Sequence, residues 1–544
     1  MPKRFGSISP FVEQGAAERR IGRLVANHDF IKALIRHGSF DEYVLANPSA
    51  VNQRAFLDVL ESWGLDAAAR ARVTPVPLVD LPARLATDDF HVFHAGGWGA
   101  FLPGLARLRA AHAPRPWPIT GMIFSIHGRE VLDYAVRLAH AGLAPYDGIA
   151  CLSRDGTDAF ARLLEAGAAI AGRRFAGQLV PLGLGVDDDV LDTAGDRAAG
   201  RRRLQIPDDT VAVLALGRIN PAQKMDLGPL LKILARRIVP EAVRPVVLVI
   251  AGGASDGDVR LLQTLIDEYG VRAHVRVQPN FLARVKPDLL AAADIVVSPV
   301  DNTQETFGLS LIEAMGHGRP VVASRFDGYK DLVEHGVDGL LVDTLWCEAD
   351  PLAGLGDVMD PNVAQLVQAQ SVAVDSNQLA DGVLALVADA DRRRAMGDAG
   401  RAKVRARFRA SAVVRDYEAW WNGLAAACTA GGDASRTPAP LTSPPLPAGA
   451  IGGAPSPAAI FRAYPTAFLS PDDRLETVPD VAIDPAYSDV AALLDPGLLA
   501  AMHAACVVPA PVRDLVALAP IEARGWFAVM WLLKYGVLRV RARG

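Results

Sequence analysis

The chain has 544 residues, with 56 Lys+Arg against 61 Asp+Glu and a net charge of −5, so no global basic field draws it to nucleic acid or to an anionic membrane. Hydrophobic residues make up 51% and charged residues 22%, an ordinary globular balance that excludes bulk disorder, and the length exceeds what one core organises, so two or three domains are expected. No apolar run approaches the roughly 20 residues of a membrane span, and MPKRFGSISP (1–10) lacks the apolar segment of a signal peptide, so the expected location is the cytoplasm.

In chain order, FHVFHAGG (90–97) reads as a buried strand running into a glycine turn, and ITGMIFSIHG (119–128) as a second strand ending in Ser-Ile-His-Gly. EVLDYAVRLAHAGL (130–143) has apolar residues at helical spacing. YDGIACLSR (146–154) is a strand, DGTDAFARLLEAG (155–167) a helix with a capping residue at its start, and QLVPLGLGV (178–186) a further strand. Strands separated by helices of this length pair in parallel through right-handed crossovers. Asp187, Asp188 and Asp189 read as a solvated acidic run in a polar connector, and no Asp-x-Asp ends a strand.

A second alternating block follows. TVAVLALGRI (210–219), RPVVLVIAGGA (244–254), HVRVQPN (274–280), DIVVSPV (294–300), RPVVAS (319–324) and GLLVD (339–343) are strands; 227–239, 258–270, 286–293 and 308–318 are helices. The second of these strands is a continuous apolar run of the kind buried on both faces. Residues 400–424 show a long amphipathic pattern whose Tyr417, Trp420 and Trp421 are packing anchors. Residues 429–459 are Pro-, Gly- and Ala-rich and read as a linker. Residues 460–544 regain apolar content, with GWFAVMWLLKYGVL (525–538) a buried helix and short strand of a winged-helix-like or docking unit. Cys151, Cys347, Cys428 and Cys506 are far apart and form no C-x-x-C pair, so they read as core thiols.

Two parallel α/β domains bind ligands at the carboxyl ends of their strands, in a cleft facing both sheets. ETFGLSLIEAMGHGRPVVAS (305–324) carries Glu305 before a helix and Glu313 eight residues later, a little over two turns on and roughly the same side. Gly308 and Leu309 lie in the first turn, where unpaired N–H groups and the helix dipole favour an anion. A phosphate there, with a carboxylate on each side accepting from hydroxyls, suits a nucleotide-sugar. In LGRINPAQKMDLG (216–228), Arg218 ends a strand and Lys224 lies in the following loop; two fixed cations there can neutralise a diphosphate leaving group without a metal. His127 and, more weakly, His94 end strands of the first block.

The E-x7-E pair, the Pro-Val-Val-Ala-Ser run and the VEHGVDGLLV tail (333–342) together resemble the retaining glycosyltransferases of family 4, over about residues 90–425. That resemblance implies an α/β GT-B fold: two Rossmann-like doubly wound parallel-sheet domains facing a cleft, with a small C-terminal accessory domain. The expected division is 1–205 with the returning helix at about 406–424 as the acceptor domain, 206–405 as the donor domain, 429–459 as linker and 460–544 as accessory domain. By the resemblance, Glu305 and His127 contact the transferred sugar, Arg218 and Lys224 the diphosphate, and Glu313 the ribose; QPNFL (278–282) occupies the base loop, and Gly15 and Gly22 are candidates on the acceptor side. Met225 stands where the family pattern has glycine. The implied function is transfer of a sugar from a nucleotide-diphosphate sugar to an acceptor hydroxyl with retention. No cofactor, no metal and no nucleic-acid partner are expected, and the base, sugar and acceptor stay open. A nucleotide-sugar epimerase and a non-catalytic nucleotide-sugar-binding regulator using 460–544 for a partner are the alternatives.

Overall fold

The alternation of apolar runs and helices resolves, in a computed structural model of the protein, into two parallel sheets. The structure describes residues 2–8, 22–47, 58–99, 101–128, 130–350, 352, 354–430, 455–479, 481, 483, 487–491 and 493–541. The chain divides into two compact units, 1–189 with 406–455 and 190–405 with 456–544.

The first unit holds β1 (Arg4–Ile8), β2 (Glu42–Asn47), β3 (Val73–Pro77), β4 (Val92–Ala95), β5 (Ile119–Met122), β6 (Gly148–Cys151) and β7 (Gln178–Pro181). Their order is β3-β2-β1-β4-β5-β6-β7, all parallel. This order reverses direction between β1 and β4, the switch that marks a doubly wound sheet. The edge strand β3 carries Pro75 and Pro77, residues that a sheet accepts only where a missing N–H goes unneeded. Helix Ala410–Thr429 sets Tyr417 and Trp421, both 0% exposed, against Phe5, Phe30 and His94, as the packing-anchor reading requires.

The long pattern expected at 400–424 is two helices, Ala390–Arg407 and Ala410–Thr429. The break has a backbone cause. Val186 N–H donates to the Phe408 carbonyl at 2.8 Å and Ala410 N–H donates to the Val186 carbonyl at 2.9 Å, so the chain after β7 takes bonds that a continuous helix would have used. The acidic run is only partly solvated: the Asp189 side chain is 64% exposed. Asp187 is 9% exposed and bonds Lys32 at 2.6 Å, and Asp189 bonds Arg36 at 2.9 Å. Both cations lie on helix Gly22–His37, a segment without assigned structure in the sequence reading.

The second unit holds β8 (Val211–Leu216), β9 (Val246–Gly252), β10 (Val275–Pro279), β11 (Ile295–Ser298), β12 (Val321–Ser324) and β13 (Gly339–Val342), in the parallel order β10-β9-β8-β11-β12-β13. Every residue of β9 is buried, as expected of a continuous apolar strand with both faces covered. The unit begins at 190, ahead of the expected boundary at 205. Helix Arg197–Leu204 belongs to it because Arg197 and Arg201 bond Asp294 and the carbonyls of Ala291 and Ala292.

Residues 456–544, expected as a separate accessory domain, fall in the same unit. Two short strands, β14 (Thr344–Trp346) and β15 (Ala373–Val374), form a small sheet that β16 (Ala467–Phe468) extends in parallel with β14. Beyond it β17 (Arg474–Thr477), β18 (Ala510–Pro511) and β19 (Leu538–Val540) make an antiparallel sheet, with helices Pro496–Ala505, Val512–Val516 and Glu522–Lys534 in between. The helix-helix-strand order fits the winged-helix-like expectation. Every residue of Gly525–Lys534 is buried, however, so this helix presents no free face among the described residues. Residues 431–454 of the expected linker lie outside the described residues.

Candidate functional site

The site is built where β8, β9 and β11 of the second unit end. After β8 the chain turns through Gly217 and Arg218. A Cβ at Gly252, the last residue of β9, would lie 1.6 Å from the Gly217 carbonyl oxygen; only glycine lets the two backbones pass this closely. Arg218 is held by Gln223, whose side-chain oxygen accepts from Nη1 at 2.9 Å. Burial draws its pKa below the usual arginine value, against the opposing pull of Glu305.

Lys224 closes the loop. Its ammonium bonds the Glu305 carboxylate and donates to the Tyr329 hydroxyl at 3.4 Å, which shares a 2.7 Å bond with Ser298 at the end of β11. Burial works against the charged forms of both Lys224 and Glu305. Their mutual attraction outweighs it, so Lys224 titrates above and Glu305 below the ordinary range. The pair is therefore ionised over the whole physiological range. Glu305 also accepts from Phe307 N–H at 3.3 Å, and its own N–H donates to the Asn302 carbonyl at 3.1 Å. Asn302, 0% exposed, donates to the Ala222 carbonyl at 2.5 Å and accepts from Gln365 at 2.6 Å. The loop bearing Glu305 is thus bonded to the loop bearing Lys224 at two points.

Helix Leu309–Gly316 follows, entered through Gly308 at φ 114°. A Cβ there would lie 2.6 Å from the Tyr329 ring, so Gly308 answers both a left-handed backbone and a close approach. The first-turn N–H groups, Leu309 included, point out of the helix start and offer donors to an anion. The Ser310 hydroxyl oxygen in that turn is enclosed and has no hydrogen-bond partner among the described residues. Glu313 lies in the next turn, where Lys286 donates to it at 2.7 Å.

The structure therefore brings Arg218, Lys224 and Glu305 into one electrostatic group beside Gly308 and Leu309, and gives Glu313 a lysine of its own. His127 belongs to the first unit, after β5, where its Nδ1 pairs with the Ser125 hydroxyl. His94 is a core residue: 1% exposed, bonded through Nδ1 to Thr120 at 2.9 Å, and drawn by burial to a pKa of about 3. Its ring is packed for shape and a single hydrogen bond, and it stays neutral. In the base loop, Asn280 takes a left-handed φ of 51° and clamps Ala254 through both side-chain amide atoms at 2.9 Å. After β9 the chain runs through Gly253 and Ala254 to Ser255, which caps helix Asp256–Glu268. Gly22 opens helix Gly22–His37, and Gly15 lies outside the described residues.

Several participants were not singled out in the sequence. Tyr329 and Ser298 have no local signature: Ser298 is read as part of the strand 294–300, and Tyr329 lies in a stretch with no assigned element. Lys286 follows a loop and carries no motif. All four cysteines are buried and free. Among the described residues no group of three or more His, Cys, Asp or Glu could hold a metal ion, and no helix is long and apolar enough to cross a membrane.

Comparison with known proteins falls on the same region. Residues 196–355 match the family Glycosyl transferases group 1. A D-inositol 3-phosphate glycosyltransferase of Xylanimonas cellulosilytica is 38% identical over 180 residues, 32% of this chain and 40% of that protein. A D-inositol 3-phosphate glycosyltransferase 1 of Catenulispora acidiphila is 30% identical over 274 residues, 47% of this chain and 61% of that protein. The chain thus spans from two fifths to three fifths of the length of these relatives. Among solved structures, Anabaena HepE in complex with UDP superposes with a TM-score of 0.52 at 19% identity, over 77% of this chain and 99% of that one. Sucrose-phosphate synthase from Thermosynechococcus elongatus does so with a TM-score of 0.51 at 19% identity, over 78% and 100%. The two parallel Rossmann-like sheets and these neighbours make the fold α/β of the GT-B type.

Proposed function

We propose that the protein transfers a sugar from a nucleotide-diphosphate sugar to an acceptor hydroxyl, with retention at the anomeric carbon and without a metal ion. The observation that carries this reading is the Lys224–Glu305 pair with Arg218 beside it, at the ends of β8 and β11 and next to the start of helix Leu309–Gly316. The bond from the anomeric carbon to the diphosphate breaks, with its electron pair going to the diphosphate, while the acceptor oxygen bonds to the same face of that carbon and its proton passes to the departing diphosphate oxygen. Arg218, Lys224 and the helix N–H groups supply the positive field that the leaving group needs. Glu305 accepts from donor-sugar hydroxyls and holds the Lys224 ammonium in place meanwhile. Glu313 accepts from the ribose, with Lys286 fixing its carboxylate.

The glycosyltransferase names of the relatives support the reaction class, and the UDP bound to the HepE neighbour makes UDP-sugars the first donors to try. Transfer is favoured over the epimerase and regulator readings because residues 196–355 match a transferase family. Retention rests on the resemblance of the Glu305–Val342 stretch to family 4, and absence of a metal requirement on the two cations Arg218 and Lys224 to which this reading assigns the leaving group. A panel of UDP-, GDP- and ADP-sugars in thermal shift identifies the donor, because a ligand that binds only the folded state raises the melting temperature. NMR of the product then gives the anomeric configuration, and a His127→Ala variant tests the sugar contact that the resemblance implies. No shift with any donor, or release of an isomeric nucleotide-sugar in place of a glycoside, contradicts the reading.

A further inference from the structure

The loops that carry Lys224 and Glu305 are held from behind by the C-terminal segment. Asp226 is two residues past Lys224, and Asp301 is four before Glu305; each is 2% exposed. They lie against each other, the Asp226 N–H reaching the Asp301 carboxylate at 3.3 Å. Two adjacent buried carboxylates need compensation, and residues from 487 to 535 provide it. Asp226 accepts from the Tyr487 hydroxyl at 2.5 Å and from the Tyr535 hydroxyl at 2.8 Å, alongside Gln370 at 2.7 Å. Asp301 bonds the Lys534 ammonium, which is 1% exposed and spends its remaining donors on the carbonyls of Ala369 and Val372 at 3.0 and 3.1 Å. Among the described residues Lys534 is the one cation bonded to either carboxylate.

This arrangement does more than attach a segment. Asp301 is adjacent to Asn302, whose side chain and carbonyl bond Ala222 and Glu305 N–H. Asp226 is two residues past Lys224, in the same connection between β8 and helix Gly228–Ile233. A tug on either aspartate therefore reaches the backbone that aims Lys224 and Glu305. A packing contact alone could have been made by apolar side chains at lower desolvation cost; a lysine and two tyrosines converging on the two loop aspartates instead fix direction and register.

We propose that Lys534, Tyr487 and Tyr535 are positioning residues for the donor site, setting the Lys224 and Glu305 loops through Asp226 and Asp301. The claim rests on the proposed transfer reaction, and it adds to that reaction a role for a segment outside residues 196–355.

The test uses the full chain with Tyr535→Phe, which removes one hydroxyl, and Lys534→Met, which removes the charge. A misplacement of about 1 Å costs on the order of 10²-fold in turnover. The expectation is a kcat at least about tenfold lower per UDP-binding site with donor KM within about twofold, because Glu313 and the base loop do not depend on this cluster. Normalising to sites titrated with UDP removes any loss from misfolded protein. In parallel, amide exchange of segments 218–227 and 299–308 should accelerate in both variants while that of β4 and β5 does not. Wild-type kcat per site in both variants, or unchanged exchange in the two loops, overturns the proposal. Should the wild type bind none of UDP, GDP and ADP and release none of them from their sugars, the transfer reading fails, and the exchange measurement still decides whether the segment sets the loops.

Discussion

The Lys224 ammonium is bonded to the Glu305 carboxylate across 81 residues of sequence, and each side chain is only 13% exposed. The pair joins the loop leaving β8 to the loop leaving β11, and its two members are the groups assigned to leaving group and sugar. The bond fixes the two side chains relative to each other, as a preorganised site requires.

Breaking that pair on one side leaves a charge in a partly dry site. Lys224→Met and Glu305→Gln should each lower stability by about 3 kcal/mol, and the double variant by clearly less than the sum. Urea denaturation of all four proteins gives the coupling. Strictly additive losses would show that the two groups do not sense each other.

At Gly252 a methyl group has no room. Gly252→Ala should destabilise by at least about 3 kcal/mol, since the obstacle is the Gly217 carbonyl and not a pliable side chain. The neighbouring Arg218 should lose its hold on Gln223, so UDP affinity falls as well. Calorimetry on Gly252→Ala with retained UDP affinity and melting temperature would contradict this close approach.

Ten of the strands in the two Rossmann-like sheets were legible, most of them because parallel strands buried on both faces read as continuous apolar runs; β7 and β10 are the exceptions, with no buried residue and one. The strands β1 to β3 were not: β3 is broken by Pro75 and Pro77, and β1 is five residues with a central glycine. Arg218, Lys224, Glu305 and Gly308 were readable because chemistry at strand ends has few substitutes. Tyr329 and Lys286 were not, since their roles exist only through partners far away in sequence. Lys534 illustrates the limit most clearly. It reads as the polar end of an apolar helix, and only the fold shows Asp301 waiting for it 233 residues away.

Acid should weaken the first unit through His94. Its folded pKa of about 3 lies below the ordinary value near 6.5, so its contribution is present above about pH 6.5 and is lost as pH falls toward 3. The Glu305 carboxylate, depressed by Lys224, adds to acid loss in the second unit below the ordinary carboxylate range. A His94→Phe variant should be less stable at pH 7, by about 1–3 kcal/mol for the unpaired Thr120 hydroxyl, yet lose less between pH 7 and 4.5. Parallel melting curves for the two proteins over that interval would refute the assignment.

Asp301 carries the opposite sign. Burial raises its pKa to about 6, against the pull of Lys534 and with Asp226 alongside. A carboxyl raised in the folded state contributes stability that is present below the ordinary value near 3.9 and is lost as pH rises through 6. Asp301→Asn should therefore remove a component that declines between pH 4 and 7. The check is the pH dependence of the second unit's melting transition; an unchanged slope in the variant argues against a raised Asp301.

The central claim is that Lys224, with Arg218, stabilises a departing diphosphate. Release of nucleoside diphosphate from the donor that the thermal-shift panel identifies, measured for the wild type and for Lys224→Ala at saturating donor with nucleotide-binding sites counted in each, addresses it directly. The account predicts a loss of about 10²–10³ in turnover per site. Equal turnover per site in the two proteins would contradict it.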